Sequence, residues 1–172
     1  MNGSTMNRLS VGGRGLITGV VCFGLLSAVS SFGAESGGHS GHPHLGVFVG
    51  AGEEKFGDFT LNAKAIGLVY EYKFGNGWDI GGVLERLEVF NQTSTVAAVV
   101  AGYSFSPGIR LFGGPGYDFR SSPIEDVWLF RAGIGYEFHL SKRWTLAPEA
   151  YVDFIENGAE TRMLGVVLGY AF

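Results

Sequence analysis

Residues Leu164–Phe172 read "LGVVLGYAF". Leu164, Val166, Leu168, Tyr170 and Phe172 take every second position, and Gly165, Val167, Gly169 and Ala171 stand between them. A period of two is the signature of a β-strand. One face of this strand is large and apolar, the other mostly small. The stretch closes on a bare aromatic with no polar tail, which is how a strand reads when both of its edges must be paired.

The same parity recurs upstream. Trp128, Phe130, Ala132, Ile134, Tyr136, Phe138 and Leu140 alternate with Arg131, Gly133, Gly135, Glu137 and His139. Trp144, Leu146, Pro148, Ala150, Val152 and Phe154 alternate with Thr145, Ala147, Glu149, Tyr151 and Asp153. Ile109, Leu111, Pro115, Tyr117 and Phe119 oppose Arg110, Phe112, Gly114, Gly116 and Asp118, and Ala97, Val99, Ala101, Tyr103 and Phe105 share a face. Turn residues punctuate the pattern and mark eight strands near 45–53, 60–73, 78–89, 94–105, 109–119, 126–140, 144–155 and 161–172. The connections "FGNGW", "SPG" and "SKR" read as tight; "EEKFGDF", "FNQTS", "RSSPIE" and "ENGAE" read as longer. Alternating tight and longer turns describe an up-and-down meander with two unlike ends.

Alternation does not say which face is inside. Volume does: eight strands enclose a lumen just wide enough for side chains, and rows of Trp, Tyr, Phe, Leu and Ile would overfill it. Charges interleaved with glycine fit it. The aromatics agree. Tyr70, Tyr72, Phe74, Trp78, Tyr103, Phe105, Tyr136, Phe138, Trp144, Tyr170 and Phe172 gather at the tight-turn end, and Phe90, Phe119, Trp128 and Phe154 at the other. Two aromatic belts are what membrane–water interfaces select. The fold expected is all-β, an eight-stranded antiparallel up-and-down transmembrane β-barrel over residues 45–172, with both termini in the periplasm.

Composition supports this reading. Glycine numbers 29, aromatics reach 14% and charged residues only 16%, a balance suited to strands and turns rather than helical bundles. Arg8 and Arg14 precede an apolar run from Leu16 to about Val29 and the small residues "AVSSFGA". Residues 1–33 therefore read as a cleaved secretory signal. Cys22, the single cysteine, lies inside it, so no disulfide framework or thiol chemistry is expected in the mature chain. Residues 34–44, with "ESGGHSGHPH", read as a flexible leader. Without residues 1–33, ten Lys+Arg face sixteen Asp+Glu, a balance of −6. That excludes the basic footprint a nucleic-acid partner requires.

A final Phe172 behind Tyr170 and further apolar residues at alternate positions resembles the terminal signature of bacterial outer-membrane barrels. With "GIGYEFHLSKRWTLAPEAYVDF", the chain over about 45–172 resembles the small OmpA/OmpX-like or porin-like barrel domains. The resemblance implies residence in the bacterial outer membrane, contact with its lipid, and reading of Tyr170 and Phe172 by the barrel-assembly machinery. It is specific for architecture and says little of function.

Candidate chemistry lies on the inner face. Glu71, Asp79, Glu85, Arg110, Asp118, Arg131, Glu137, Glu149 and Asp153, with Lys73 and Arg120, point there. Buried charges must pair, so Arg110 and Arg131 are expected against Glu137, Glu149 or Asp79. Such a network stiffens and plugs the barrel, giving a non-enzymatic protein with a structural or porin-like role. The alternative is a narrow path, cation-preferring because acids outnumber bases. His139 and Ser141, with Glu149 on the next strand, resemble the His-x-Ser of outer-membrane lipid A deacylases. However, Lys142 stands where that family has Asn, and the pair borders a turn assigned to the periplasmic end. His39, His42 and His44 have a spacing that can bind zinc or copper, but a solvated tail is expected, with no metal or cofactor. The short outer loops argue against a large protein partner.

Overall fold

The computed structural model describes residues 41–90, 92–105, 108–120 and 125–172. The signal expected over 1–33, Cys22 and His39 lie outside the described residues. Nine β-strands follow in chain order: β1 (His42–Phe56), β2 (Phe59–Lys73), β3 (Trp78–Val89), β4 (Gln92–Phe105), β5 (Ile109–Arg120), β6 (Val127–Tyr136), the two-residue β7 (Phe138–His139), β8 (Trp144–Ile155) and β9 (Glu160–Ala171). All pairings are antiparallel, each strand beside its neighbour, and β1 also pairs with β9. β6 and β7 both pair with β8 in one continuous register, so together they form a single stave. The result is a closed eight-stave barrel with no free edge.

Proline accounts for the split stave. Gly135 pairs with Glu149 and Phe138 with Leu146, but the ladder lapses where Tyr136 and Glu137 face Pro148 and Ala147. Pro148 has no N–H to give. Pro115 does the same between β4 and β5, where pairing lapses opposite Val99 and Val100. The single strand expected over 126–140 is therefore two.

Two other expectations are corrected. β1 starts at His42, so the last three residues read as leader belong to the wall. β1 runs on to Phe56 and β2 begins at Phe59, which leaves only Gly57 and Asp58 between them. The outer connections after β1 and β3 thus span two residues each, fewer than the three or four at the other end. Loop length does not distinguish the ends. Gly57 sits at φ 58, the left-handed region a tight hairpin turn requires and glycine enters freely. The equivalent turn after β3 places Phe90 at φ 44. Phe90 is therefore a hairpin tip and not a member of the wall's aromatic belt.

The arrangement is inside-out. Leu164 is 68% exposed, Trp128 59% and Val49 58%, whereas Arg131, Glu85, Asp153 and Asp118 are at most 3% exposed. Register fixes the tilt. From Val47 the ladder runs through Leu68, Leu84, Ala97 and Tyr117 to Trp128 in one direction. In the other it runs through Leu168 and Leu146 to Phe138. These endpoints share a stave and stand ten residues apart. That stagger tilts the strands by about 40°, so each residue climbs ~2.5 Å along the axis.

Edge-to-face aromatic pairs line the lower rim: Trp78–Tyr103 and Trp144–Tyr170 at 5.0 Å, Tyr170–Phe172 at 5.3 Å. Tyr117–Trp128 at 4.9 Å and Tyr117–Phe119 at 5.0 Å stand at the upper rim. Trp128 lies eight residues along its stave from Tyr136, or roughly 20 Å of height, close to the ~25 Å apolar band of outer-membrane barrels.

Val49, paired with Ile66 and Val166, lies near mid-band. Val49→Arg should destabilise the bilayer-folded barrel by about 2–4 kcal/mol, while Val49→Leu should be near neutral. Urea titration of protein refolded into liposomes checks this.

Candidate functional site

Strand parity delivers the charged residues to the axis, and the stagger spreads them along it in four clusters. At the end bearing the termini, Lys73 of β2 bonds Glu137, which also lies 3.3 Å from Nε2 of the exposed His139. His44 lies beside them, buried, its Nε2 without a partner.

Next along the axis is Arg110. It donates through Nε and Nη2 to both oxygens of Asp79, at 3.0 and 2.6 Å. Its Nη1 lies 2.7 Å from Glu71 and 3.6 Å from Glu149. Gly102 makes the room: a Cβ there would fall 2.6 Å from the Asp79 carboxylate.

The central cluster belongs to Arg131, 2% exposed. Its Nε and Nη2 donate to Asp153 at 2.7 and 2.8 Å, and Nη2 also donates to Glu85 at 2.8 Å. The Tyr151 hydroxyl donates to the same Glu85 oxygen at 2.9 Å, and the guanidinium lies 3.8 Å from the centre of the Tyr151 ring. Two carboxylates and a ring thus hold this cation, the kind of pairing under which a buried charge is tolerated.

Above it, Arg120 donates to Asp118 at 2.7 Å and lies 3.9 Å from Glu54, whose carboxylate accepts from Thr161 at 3.2 Å. The second oxygen of Asp118 is buried without a partner.

Aromatic rings separate the two middle clusters. Phe48 packs against Tyr151 at 5.7 Å between centroids, and Arg110 lies 4.9 Å from the Phe112 ring. Glycine again sets the space: a Cβ on Gly50 or Gly165 would lie 2.4 Å from the Phe48 ring, and one on Gly133 would lie 2.4 Å from Phe112.

The structure brings Arg110 to Asp79, Glu71 and Glu149, and Arg131 to Asp153 and Glu85. Glu137 pairs with Lys73, not with an arginine as the sequence suggested, because it lies just past the end of β6, two residues beyond Gly135 at the barrel mouth. Glu54, Tyr151 and Thr161 were missed as partners. Continuing the parity of Gly46, Phe48, Gly50 and Gly52 through the segment read as a loop would have found Glu54.

The deacylase-like residues are not assembled. Ser141 Oγ accepts the backbone N–H groups of Arg143 and Trp144. His139 faces Glu137, and Glu149 faces Arg110. His42 and His44 stack at 5.1 Å, and among the described residues no three His, Cys, Asp or Glu side chains converge to hold a metal.

No protein-family model matches the chain, and no curated protein matches it in sequence. Solved structures do. The crystal structure of Ail, the attachment invasion locus protein of Yersinia pestis, in complex with the heparin analogue sucrose octasulfate, is 18% identical, with 77% of this chain and 99% of that one covered at a TM-score of 0.59. Neisserial surface protein A is 8% identical over 79% and 100% of the two chains, with a TM-score of 0.60. The N-terminal β-barrel domain of Pseudomonas aeruginosa OprF is 12% identical over 77% and 100%, with a TM-score of 0.57. At such identities the likeness is one of fold. The class it defines, with the inside-out wall, is the eight-stranded β-barrel of bacterial outer membranes. This chain is a transmembrane barrel in contact with lipid.

Removing the central cation tests the network. Arg131→Met should cost about 3–5 kcal/mol by stranding Glu85 and Asp153, and adding Glu85→Gln and Asp153→Asn should restore most of it. Denaturant titration of the refolded variants reads both.

Proposed function

We propose that the protein is a structural, non-enzymatic barrel of the bacterial outer membrane, its lumen sealed by the ion-pair stack. The observation that carries this reading is the layer of buried rings, Phe48, Phe112 and Tyr151, that lies between Arg110 and Arg131. Two further features support it. The cavity lined by His44, Glu71, Arg110, Glu137 and Glu149 amounts to about 20 Å³, room for about one water. Each arginine is held by two or more carboxylates, so opening a path would strand charges in a low-dielectric interior. The nine network residues Glu71, Asp79, Glu85, Arg110, Asp118, Arg131, Glu137, Glu149 and Asp153 thus serve as a plug and not as a reactive centre.

The second reading is a slow cation-preferring pore. It draws on charge: in the four clusters, eight carboxylates face four cations. Planar-bilayer recording separates the two. The sealed barrel should give no discrete openings that scale with salt. A pore would give cation-selective openings that diminish when Glu71 and Glu149 become Gln.

The reading extends to biogenesis. Tyr170 near the end of β9 and Phe172 just past it are apolar, and we assign them to recognition by the barrel-assembly machinery. Removal of Phe172 should lower the amount of heat-modifiable barrel in bacterial outer membranes severalfold. Unassisted refolding into detergent should be little changed.

A further inference from the structure

The upper rim has two chemically different halves. Four positions lie eight residues along their staves from a lower-rim aromatic: Trp128 from Tyr136, Lys64 from Tyr72, Arg86 from Trp78, and Arg162 from Tyr170. They therefore share one level. On the β5, β6 and β8 side that level is aromatic, with Tyr117, Trp128 and Phe154. On the β9, β2 and β3 side it is basic, and the three cations point outward at lipid.

Arg162 is satisfied by Glu160 at 3.0 Å. Lys64 and Arg86 make no hydrogen bond or ion pair to any described residue. They are diagonal neighbours across the β2–β3 ladder, where Lys64 pairs with Glu88 and Arg86 with Ile66. Glu88 faces the same way one step further out, without closing an ion pair to either. A cation on the wall at this depth needs an anion from outside the chain.

Directly below Arg86 the wall is indented. Val47, Ile66, Leu68 and Leu84, with Thr95 at the upper edge, line a groove of about 360 Å³. Its floor is the backbone of Gly67 and Glu85, two positions that face the lumen. An apolar trough leading away from two unpaired cations matches an amphiphile with an anionic head.

We propose that Lys64 and Arg86 hold the phosphate of one lipid of the leaflet at this end, with an acyl chain in the Val47–Ile66–Leu68–Leu84 groove. The assignment rests on the transmembrane reading but on neither the sealed lumen nor the assembly role. Cation–phosphate contacts are charge-assisted, and the lysine and arginine offer both a point charge and a planar fork. The groove gives the site a preference for a lipid over a free anion.

The test uses the refolded barrel in zwitterionic detergent with diphosphorylated lipid A as the probe, read by native mass spectrometry. The wild type should retain a single lipid A adduct. K64Q/R86Q should lower its occupancy by about tenfold or more, the scale of losing one or two charge-assisted bonds. Leu84→Trp, which fills the groove and keeps both charges, should lower it as well, whereas Arg162→Gln should not. Inorganic phosphate should not compete. Heat-modifiable mobility confirms that each variant is folded. An inserted wild type without an adduct, an adduct that survives K64Q/R86Q, or full competition by inorganic phosphate would overturn the site alone. Failure of the wild type to insert would overturn the barrel reading beneath it.

Discussion

Hydrocarbon offers a peptide N–H nothing to bond, and each unsatisfied group there costs several kcal/mol. A strand can cross only if both of its edges are paired. This one constraint organises the molecule. β9 must meet β1, as it does from Lys55–Glu160 down to His44–Ala171, and closure then fixes an inside and an outside. Once lipid claims the outside, bulky apolar side chains go there by solvation, and the charges have only the axis left.

The axis is narrow, and its packing follows from that. Inward glycines give the Phe48 and Phe112 rings room inside the lumen and let Asp79 approach Arg110. Substituted at Gly50, Gly133 or Gly165, even a methyl would collide with a ring. Arg110 and Arg131 are then enclosed by carboxylates from other strands. Arg131 of β6 ties to Asp153 on the adjacent β8 and to Glu85 on the far side of the lumen, so one side chain braces two walls. A buried ion pair of this kind adds little net stability over an apolar core. Its evident effect is to fix which strands face one another.

Much of this was legible in the sequence because period-two alternation survives in every strand. Trp128-Leu129-Phe130-Arg131 states which side chain faces which way before any pairing is known. What the sequence could not give was partner choice. Ion pairs across a lumen depend on stagger, and stagger is a property of closure and not of any one strand; hence Glu137 meets Lys73 and not an arginine. Turn lengths were misjudged for a different reason. Glu53, Glu54 and Lys55 are polar and read as loop, yet they continue β1 beyond the apolar band, where polarity no longer distinguishes strand from turn. Pro148 broke a ladder on the neighbouring strand, a signal that a strand-by-strand reading of 126–140 cannot carry.

The most direct test of the inside-out wall uses the three tryptophans, all of which face outward: Trp78 and Trp144 at one rim, Trp128 at the other. The protein would be refolded into bilayers whose acyl chains carry bromine, and tryptophan fluorescence recorded. The wall described here predicts quenching of all three, strongest with bromine near the headgroups and weaker at the chain ends. Fluorescence indifferent to bromine, from a folded protein that stays in the aqueous phase without detergent, would contradict it.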